Sequence, residues 1–401
     1  KRKCATMDML NKHIGKDPSI IQKMEQIEKF TQEYIIANRN TKYMATVITI
    51  PVVVHIIHNG EAIGTGANIS DAQVFSQIDV LNEDFRLLNA DSLDSSHPFW
   101  YATADSEIEF CLAEQDEFGN PTDGIERIDG GQADWDPADI DDILKPATIW
   151  DRDLYLNLWT VQYDAANSSL LGYAQFPGEA DSTDGVVCRY DAFGYTGNVT
   201  PPNDLGRTET HEVGHWLNLR HIWGDNQPNC GDDLVSDTEP ADEPNYGNPT
   251  FPHDPNNPCG TGADGEMYMN YMDYGDDVEL VMFTYEQALR MRAALNGPRA
   301  SLLSSIGCQT PSGISEKNKE VFISIFPNPV IDKLQIEFSN TNISMADISI
   351  INHLGQTVFQ KKITQNIKGC SMDVSNLSSG FHLVKISNSQ MNITKKIVIN
   401  K

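Results

Sequence analysis

Apolar and polar positions change period several times along the chain, and the changes mark out its elements. In "DPSIIQKMEQIEKFTQEYIIANRN" apolar residues recur at helical spacing behind Asp17, which predicts a helix capped there. The β-branched run "VITIPVVVHII" at 47–57 contains a proline and a histidine and is too short to cross a membrane. It predicts a buried strand. A helix opening at Ser70 or Asp71 follows in "SDAQVFSQIDVLNEDFRLLN", then strands in "SEIEFCLAE" at 106–114 and "LYLNLWTV" at 154–161. "LLGYAQFPG" and "GVVCRYDAFG" read as two more strands with glycine and proline punctuation. Helices are predicted over 207–219 and 284–296. The Gly-, Pro-, Asp- and Asn-rich stretch 222–280 between them is too long to lack structure unless metals or disulfides hold it.

Beyond "QTPSGISEKNKE", a linker by composition, the pattern becomes strictly alternating: "VFISIFPNPVIDKLQIEF", "ADISIINHLGQTVFQKKI", "MDVSNLSSGFHLVKIS" and "ITKKIVIN". That alternation predicts a small all-β sandwich. The chain divides into 1–45, a segment ahead of the first core strand that reads as a pro-segment, an α+β (α/β) domain over 46–308, a linker over 309–320 and the sandwich over 321–401.

Charge separates the same parts. Residues 309–401 carry 10 lysines, no arginine and 6 acids, while the first 308 carry 19 basic and 51 acidic side chains. A net charge of −28 excludes a nucleic-acid partner, whose phosphates need a basic surface. No apolar run reaches the roughly 20 residues of a membrane helix. Excess carboxylate suits calcium binding outside the cell, and equally a merely solvated acidic face. Seven cysteines form no CxxC pair, and an odd number in a secreted chain leaves one thiol over. Residues 1–10 are polar and charged and show no signal peptide; if the protein is secreted, its signal is expected to have been removed from this sequence.

The chemistry concentrates in "HEVGHWLNLRH" at 211–221. Residues i and i+4 share a helix face, so His211 and His215 can offer nitrogens to one zinc ion, with Glu212 placed to take a proton from the zinc-bound water. His221 reaches the same metal only if the helix stops near 218 and the chain turns sharply. Asn is the side chain that best tolerates the left-handed conformation after Gly, so Asn218 permits the turn. The plain alternative is a helix with two surface histidines. His221 at this offset, and "NYMDY" about fifty residues on, speak against it.

"HEVGHWLNLRH" together with "MNYMDYGDD" resembles the metzincin metalloproteases, and specifically the pappalysin family; "IPVVVHII", "SQIDVLNEDFR", "LNLWTV", "GYAQFPG" and "VSDTEP" resemble its framework over about 45–308. The resemblance implies a metzincin-type domain with a mixed twisted sheet and an active-site helix, acting as a zinc endopeptidase on protein or peptide substrates. It implies zinc ligation by His211, His215 and His221, Glu212 as general base, Met272 as the floor under the metal, and Tyr274 as a catalytic partner. "GYAQFPG" matches the edge strand that pairs with extended substrate. A cysteine usual soon after the Met-turn is replaced here by "DDVELVMFT", leaving Cys230–Cys259 as the natural pair. Val278 stands where some relatives select arginine with an aspartate; Asp276, Asp277 or Glu279 could restore that preference.

"CGDDLVSDTEP" resembles the family's calcium loop, with Asp233, Thr238 and the backbone oxygen of Ser236 as ligands. Cys4 in "KRKCATM" resembles the pro-segment cysteine of family zymogens. As a thiolate on zinc it would displace the catalytic water, and an ordinary disulfide is the alternative. Cleavage of the pro-segment is expected near Arg39. The last 80 residues resemble the sorting domain of type IX secretion, which implies export by that machinery to the cell surface or beyond; a generic adhesion or carbohydrate module is the alternative. The whole reads as a secreted monomer made latent. A binding protein with a structural or decayed metal site is the competing class, and the intact Glu212 argues against it. The edge strand argues against a zinc hydrolase of non-peptide bonds.

Overall fold

The computed structural model describes residues 3–40, 46–225, 229–254, 258–310, 322–339, 346–352, 356–364, 368–387 and 392–400. They form two compact units, 1–311 and 312–401. From residue 311 the expected linker lies outside the described residues.

In the first unit, strand β1 (Ile48–His58) is the hub of a six-stranded sheet. On one side it pairs in parallel with β2 (Ile108–Leu112) and then with β3 (Ile125–Asp129). On the other it pairs with β4 (Leu156–Val161), which pairs in parallel with β6 (Val186–Arg189). Only β5 (Gly172–Ala174) runs antiparallel, as the outer strand beyond β6. Most of β1 and all of β4 are buried. That is why β1 is dominated by Val and Ile on both faces rather than alternating apolar with polar residues. The mixed sheet with its helices is the architecture expected.

The helix predicted behind Asp17 is α2 (Ser19–Asn38), and a shorter helix that was not predicted, α1 (Thr6–Lys16), precedes it. Pro18 has no N–H to donate and drives Asp17 to extended angles, φ −134° and ψ 92°, so the helix must break there. Helix α3 (Asp71–Phe85) opens at Ser70, whose hydroxyl accepts from the Gln73 amide at 3.2 Å. Its buried glutamines are structural: Gln73 donates to the carbonyls of Tyr190 and Phe193 at 2.9 Å, and Gln77 to that of Gly206 at 3.1 Å. These bonds fix the loop that leads into the histidine helix. Cys111–Cys308 joins β2 to the end of the unit. Cys230–Cys259 closes the long loop, within which β7 (Tyr246–Gly247) pairs with β8 (Tyr274–Gly275). Cys4, Cys188 and Cys370 carry no disulfide.

The second unit is all β. One antiparallel sheet has the order β13 (Gly369–Asp373), β10 (Lys333–Ser339), β9 (Phe322–Phe326). The other has the order β12 (Thr357–Ile363), β11 (Ala346–Asn352), β14 (Gly380–Ser387), β15 (Asn392–Ile399). Alternate residues Leu334 and Ile336, Ile348 and Ile350, Val384 and Ile386, Ile397 and Ile399 make its core. Among the described residues no helix is long and apolar enough to cross a membrane.

Candidate active site

The active-site helix, Arg207–Trp216, starts from Gly206 in the left-handed region at φ +78°. Asp277 supplies an anion to its first turn, accepting from the amides of Leu205 at 2.9 Å and Arg207 at 3.3 Å. Its carboxylate is therefore committed to the scaffold, which removes Asp277 from the residues that could restore an arginine preference. Val278 is 55% exposed.

The helix ends three residues earlier than predicted, because Asn218 adopts φ +74°. The amides of Asn218 and Leu219 turn back onto the carbonyls of His215 and Gly214, at 2.8 and 2.9 Å. His221 returns to the helix through this bend. The Nε2 atoms of His211, His215 and His221 lie 3.2, 3.2 and 3.0 Å apart. All three rings are buried.

The opposite nitrogen of each ring faces an acceptor. His211 Nδ1 donates to the Tyr271 carbonyl at 2.7 Å, His215 Nδ1 to the Leu219 carbonyl at 2.9 Å and His221 Nδ1 to Asp225 at 2.6 Å. Each Nδ1 thus holds the proton and each Nε2 presents a lone pair. Three convergent lone pairs repel one another unless a cation stands between them. Ligand nitrogens about 2.0–2.1 Å from a tetrahedral zinc are separated by about 3.3 Å, close to the spacing here. Burial pulls His215 well below its ordinary pKa, so it stays a neutral donor of electrons. The residues fit zinc.

The remaining groups close around this point. Met272 lies under the helix: a Cβ on Gly214 would come within 2.6 Å of its sulfur, so glycine is required there. The Tyr274 ring is 5.1 Å from that of His221 and 4.7 Å from that of Trp223, and its hydroxyl lies 3.3 Å from the Cys4 amide. Burial, and then the charges of Cys4 and Glu212, raise its pKa, so the phenol keeps its proton. Glu212 lies against β5; a Cβ on Gly172 would meet the Glu212 Cγ at 2.8 Å.

Cys4 occupies the open side of the triad, its Sγ and the three ring nitrogens all lying within 4.8 Å of one another. Its thiol is 3.2 Å from Glu212 Oε2, which also accepts from the Thr6 hydroxyl at 3.1 Å. Burial first, then Glu212, push the thiol up. A dication among the imidazoles acts in the opposite sense. Residues 3–5 lie along β5 in the parallel sense: Leu171 N donates to Lys3 O at 2.9 Å and Ala5 N to Gly172 O at 3.0 Å.

Further along, His13 is clasped between Asp141 at 2.9 Å and Glu179 at 2.5 Å. Glu28 holds Arg290 with both carboxylate oxygens, and Thr31 accepts from the Asn218 side chain at 3.3 Å. None of these anchors was read from the sequence, since the partners lie over a hundred residues apart. Asp225 could have been found, standing four residues after His221 as a carboxylate to orient it.

In the expected calcium loop, Thr238 donates to both oxygens of Asp233 at 2.9–3.0 Å, while the Ser236 hydroxyl and amide turn to Glu286. The acidic side chains that converge elsewhere among the described residues are Asp242, Asp254 and Glu266. That group has no sequence signature.

A mixed sheet with an antiparallel edge, three imidazoles on one point and a carboxylate beside them define a metalloendopeptidase. A sequence profile described as "Pregnancy-associated plasma protein-A" matches residues 140–296, and one described as "Secretion system C-terminal sorting domain" matches 324–400. An extracellular metalloprotease of Colletotrichum graminicola is 30% identical over 260 residues, 63% of this chain and 79% of that protein. Mature mirolysin of Tannerella forsythia, solved with a cleaved peptide, is 42% identical, covers 65% of this chain and 97% of its own, and superposes with a TM-score of 0.59. A promirolysin mutant from the same organism is 37% identical, covers 75% and 97%, and has a TM-score of 0.63. The chain belongs to the pappalysin family of metalloproteases, and it carries a secretion sorting domain that directs it out of the cell or to its surface.

Proposed function

We propose that this chain is the latent form of a zinc endopeptidase in which Cys4 holds the metal's fourth position until the first 39 or so residues are cut away. The observation that carries the reading is the approach of Cys4 to all three ring nitrogens while its own backbone fills the edge of β5. The likeness to a promirolysin structure, which covers more of this chain than the mature form does, supports it.

Zinc, when bound by His211, His215 and His221, supplies the Lewis acidity of the reaction. Glu212 takes the proton of the attacking water and delivers it to the leaving amine; with Cys4 and Thr6 gone, its Oε2 faces the cleft. Tyr274 keeps a protonated hydroxyl at the place where the Cys4 backbone now lies, and there donates to the developing oxyanion. An extended substrate takes the edge of β5 that residues 3–5 occupy. The buried Asp233 and the half-buried Thr238, joined across one turn, support a structural calcium ion with the Ser236 carbonyl. The chain acts as a monomer.

The test uses the full chain. Cys4→Ala is expected to digest casein without prior cleavage, to lose that activity to a chelator, and to lose it again when Glu212→Ala is added. Equal digestion by the single and double variants would end the assignment of Glu212; unchanged latency in Cys4→Ala would end the switch.

A further inference from the structure

The pro-segment does more than cover the metal: it places a cation in a pocket of two carboxylates. Both ring nitrogens of His13 face acceptors, Nε2 toward Asp141 and Nδ1 toward Glu179, so the ring carries both protons and a positive charge. Asp141 is 4% exposed and Glu179 8% exposed. Asp141 is half-compensated from behind by the buried Lys145, 2.8 Å away. Among the described residues Glu179 has no second ion pair; Arg220 and Arg299 act on it through space, and Arg299 is bound to Asp184 at 2.5 Å. Departure of α1 therefore takes away the cation that, among the described residues, is ion-paired with Glu179.

That site is built onto the substrate-pairing strand. The Tyr173 hydroxyl, on β5, donates to Asp141 at 2.8 Å. The Phe176 amide, two residues past β5, donates to Glu179 Oε1 at 2.7 Å. The seven helical steps of α1 from Thr6 to His13 span about 10 Å. An extended peptide rises about 3.3 Å per residue, so the pocket is about three or four residues from the bond over the metal. Residues 3–5 run parallel to β5. A substrate pairing in the opposite sense carries its residues N-terminal to the scissile bond toward Glu179.

We propose that Asp141 and Glu179 form a cation-recognising subsite that His13 fills in the latent chain and that a basic side chain of the substrate, three or four residues N-terminal to the cleaved bond, fills in the active enzyme. The subsite rests on the reading of residues 1–39 as a removable segment. Its ligand class is a guanidinium, ammonium or imidazolium group, each able to hydrogen-bond two carboxylates.

The experiment converts the zinc-loaded full chain by limited proteolysis near Arg39 with an immobilised protease, then removes the beads. Quenched peptides of one sequence are compared with Arg, Lys, His, norleucine or Glu at each position up to five residues either side of the scissile bond. Arg is expected to exceed norleucine in kcat/KM on the order of tenfold at the third or fourth position on the N-terminal side. Glu179→Gln, which keeps an oxygen for the Phe176 amide, brings that ratio toward one, and Glu179→Lys reverses it in favour of Glu. A flat wild-type profile at those positions, or a preference confined to others, overturns the subsite whether or not the variants fold. Failure to cleave any peptide is a different result: it overturns the peptidase reading beneath it.

Discussion

The side-chain amide of Asn218 donates to the hydroxyl of Thr31 across 3.3 Å, so the residue that bends His221 back toward His211 and His215 is itself held by α2. The same residue's carbonyl accepts from Arg290 Nε at 2.6 Å, and Arg290 grips Glu28 of the same segment. The bend has two duties, which Asn meets together. Gly would meet only the conformational one. Asn218→Ala keeps the strained angle and loses the amide, and is expected to cost about 1 kcal/mol. A fall of about 2–4 °C in Tm follows for a unit of this size. Asn218→Gly is expected to leave Tm unchanged or higher, while loosening the pro-segment; calorimetry beside limited proteolysis separates the two.

Gly172 leaves room for Glu212 and for the Val187 carbonyl, both within 3.0 Å of any Cβ built there. Gly172→Ala is expected to displace the base without touching the triad. Zinc content by mass spectrometry stays at one per chain, and peptide hydrolysis by the activated protein falls on the order of a hundredfold. Loss of zinc together with activity would show that the glycine supports the fold instead.

The His221–Asp225 contact at 2.6 Å orients the third ligand. Asp225→Ala is expected to weaken zinc binding by roughly ten- to a hundredfold, read by competition with a coloured chelator. The other two imidazoles are oriented by backbone carbonyls and offer no equivalent substitution.

Burial pulls the His13 imidazolium down, but its hydrogen bonds to Asp141 and Glu179 outweigh this and hold its pKa at about 9, above the ordinary 6.5. Lys145 and the Tyr173 hydroxyl stand behind Asp141, whose own pKa is lowered to about 2: burial opposes that shift and Lys145 overcomes it. A group raised on docking stabilises the docked state fully below its free pKa. It loses that contribution as pH rises from about 6.5 through about 9. Proteolytic removal of the pro-segment is therefore expected to accelerate between pH 6 and pH 9.5 relative to a peptide control. In His13→Gln the ratio is expected to be flat.

The triad was legible because its ligands lie within eleven residues and helix periodicity converts spacing into direction. Asn218 carried the turn for the same local reason. Strand β1 was legible from a β-branched run that a doubly buried strand explains, and the sandwich from its alternation. What stayed hidden was non-local. Nothing in "NKHIGK" points to Asp141 and Glu179, and Glu28 resembles any solvated helix residue until Arg290 meets it. Asp277 looked available for specificity and is instead committed to the amides that open the active-site helix. The break at Asp17–Pro18 was local and readable, yet the apolar spacing on its C-terminal side drew attention away from the first helix.

Residues 3–40 are held by many contacts that are each modest, among them a thiol, an imidazolium, a bidentate carboxylate, backbone bonds to β5 and the ion pairs of Lys16 and Arg39. While the chain is intact these compete at the effective concentration of a tether, in the millimolar range for a short link. A single cut turns the same surface into a separate peptide at whatever concentration the surroundings allow. On the proposed latency, dilution would complete what proteolysis begins, and an enzyme released into a large volume would be committed to activity in a way that one retained at a crowded surface is not.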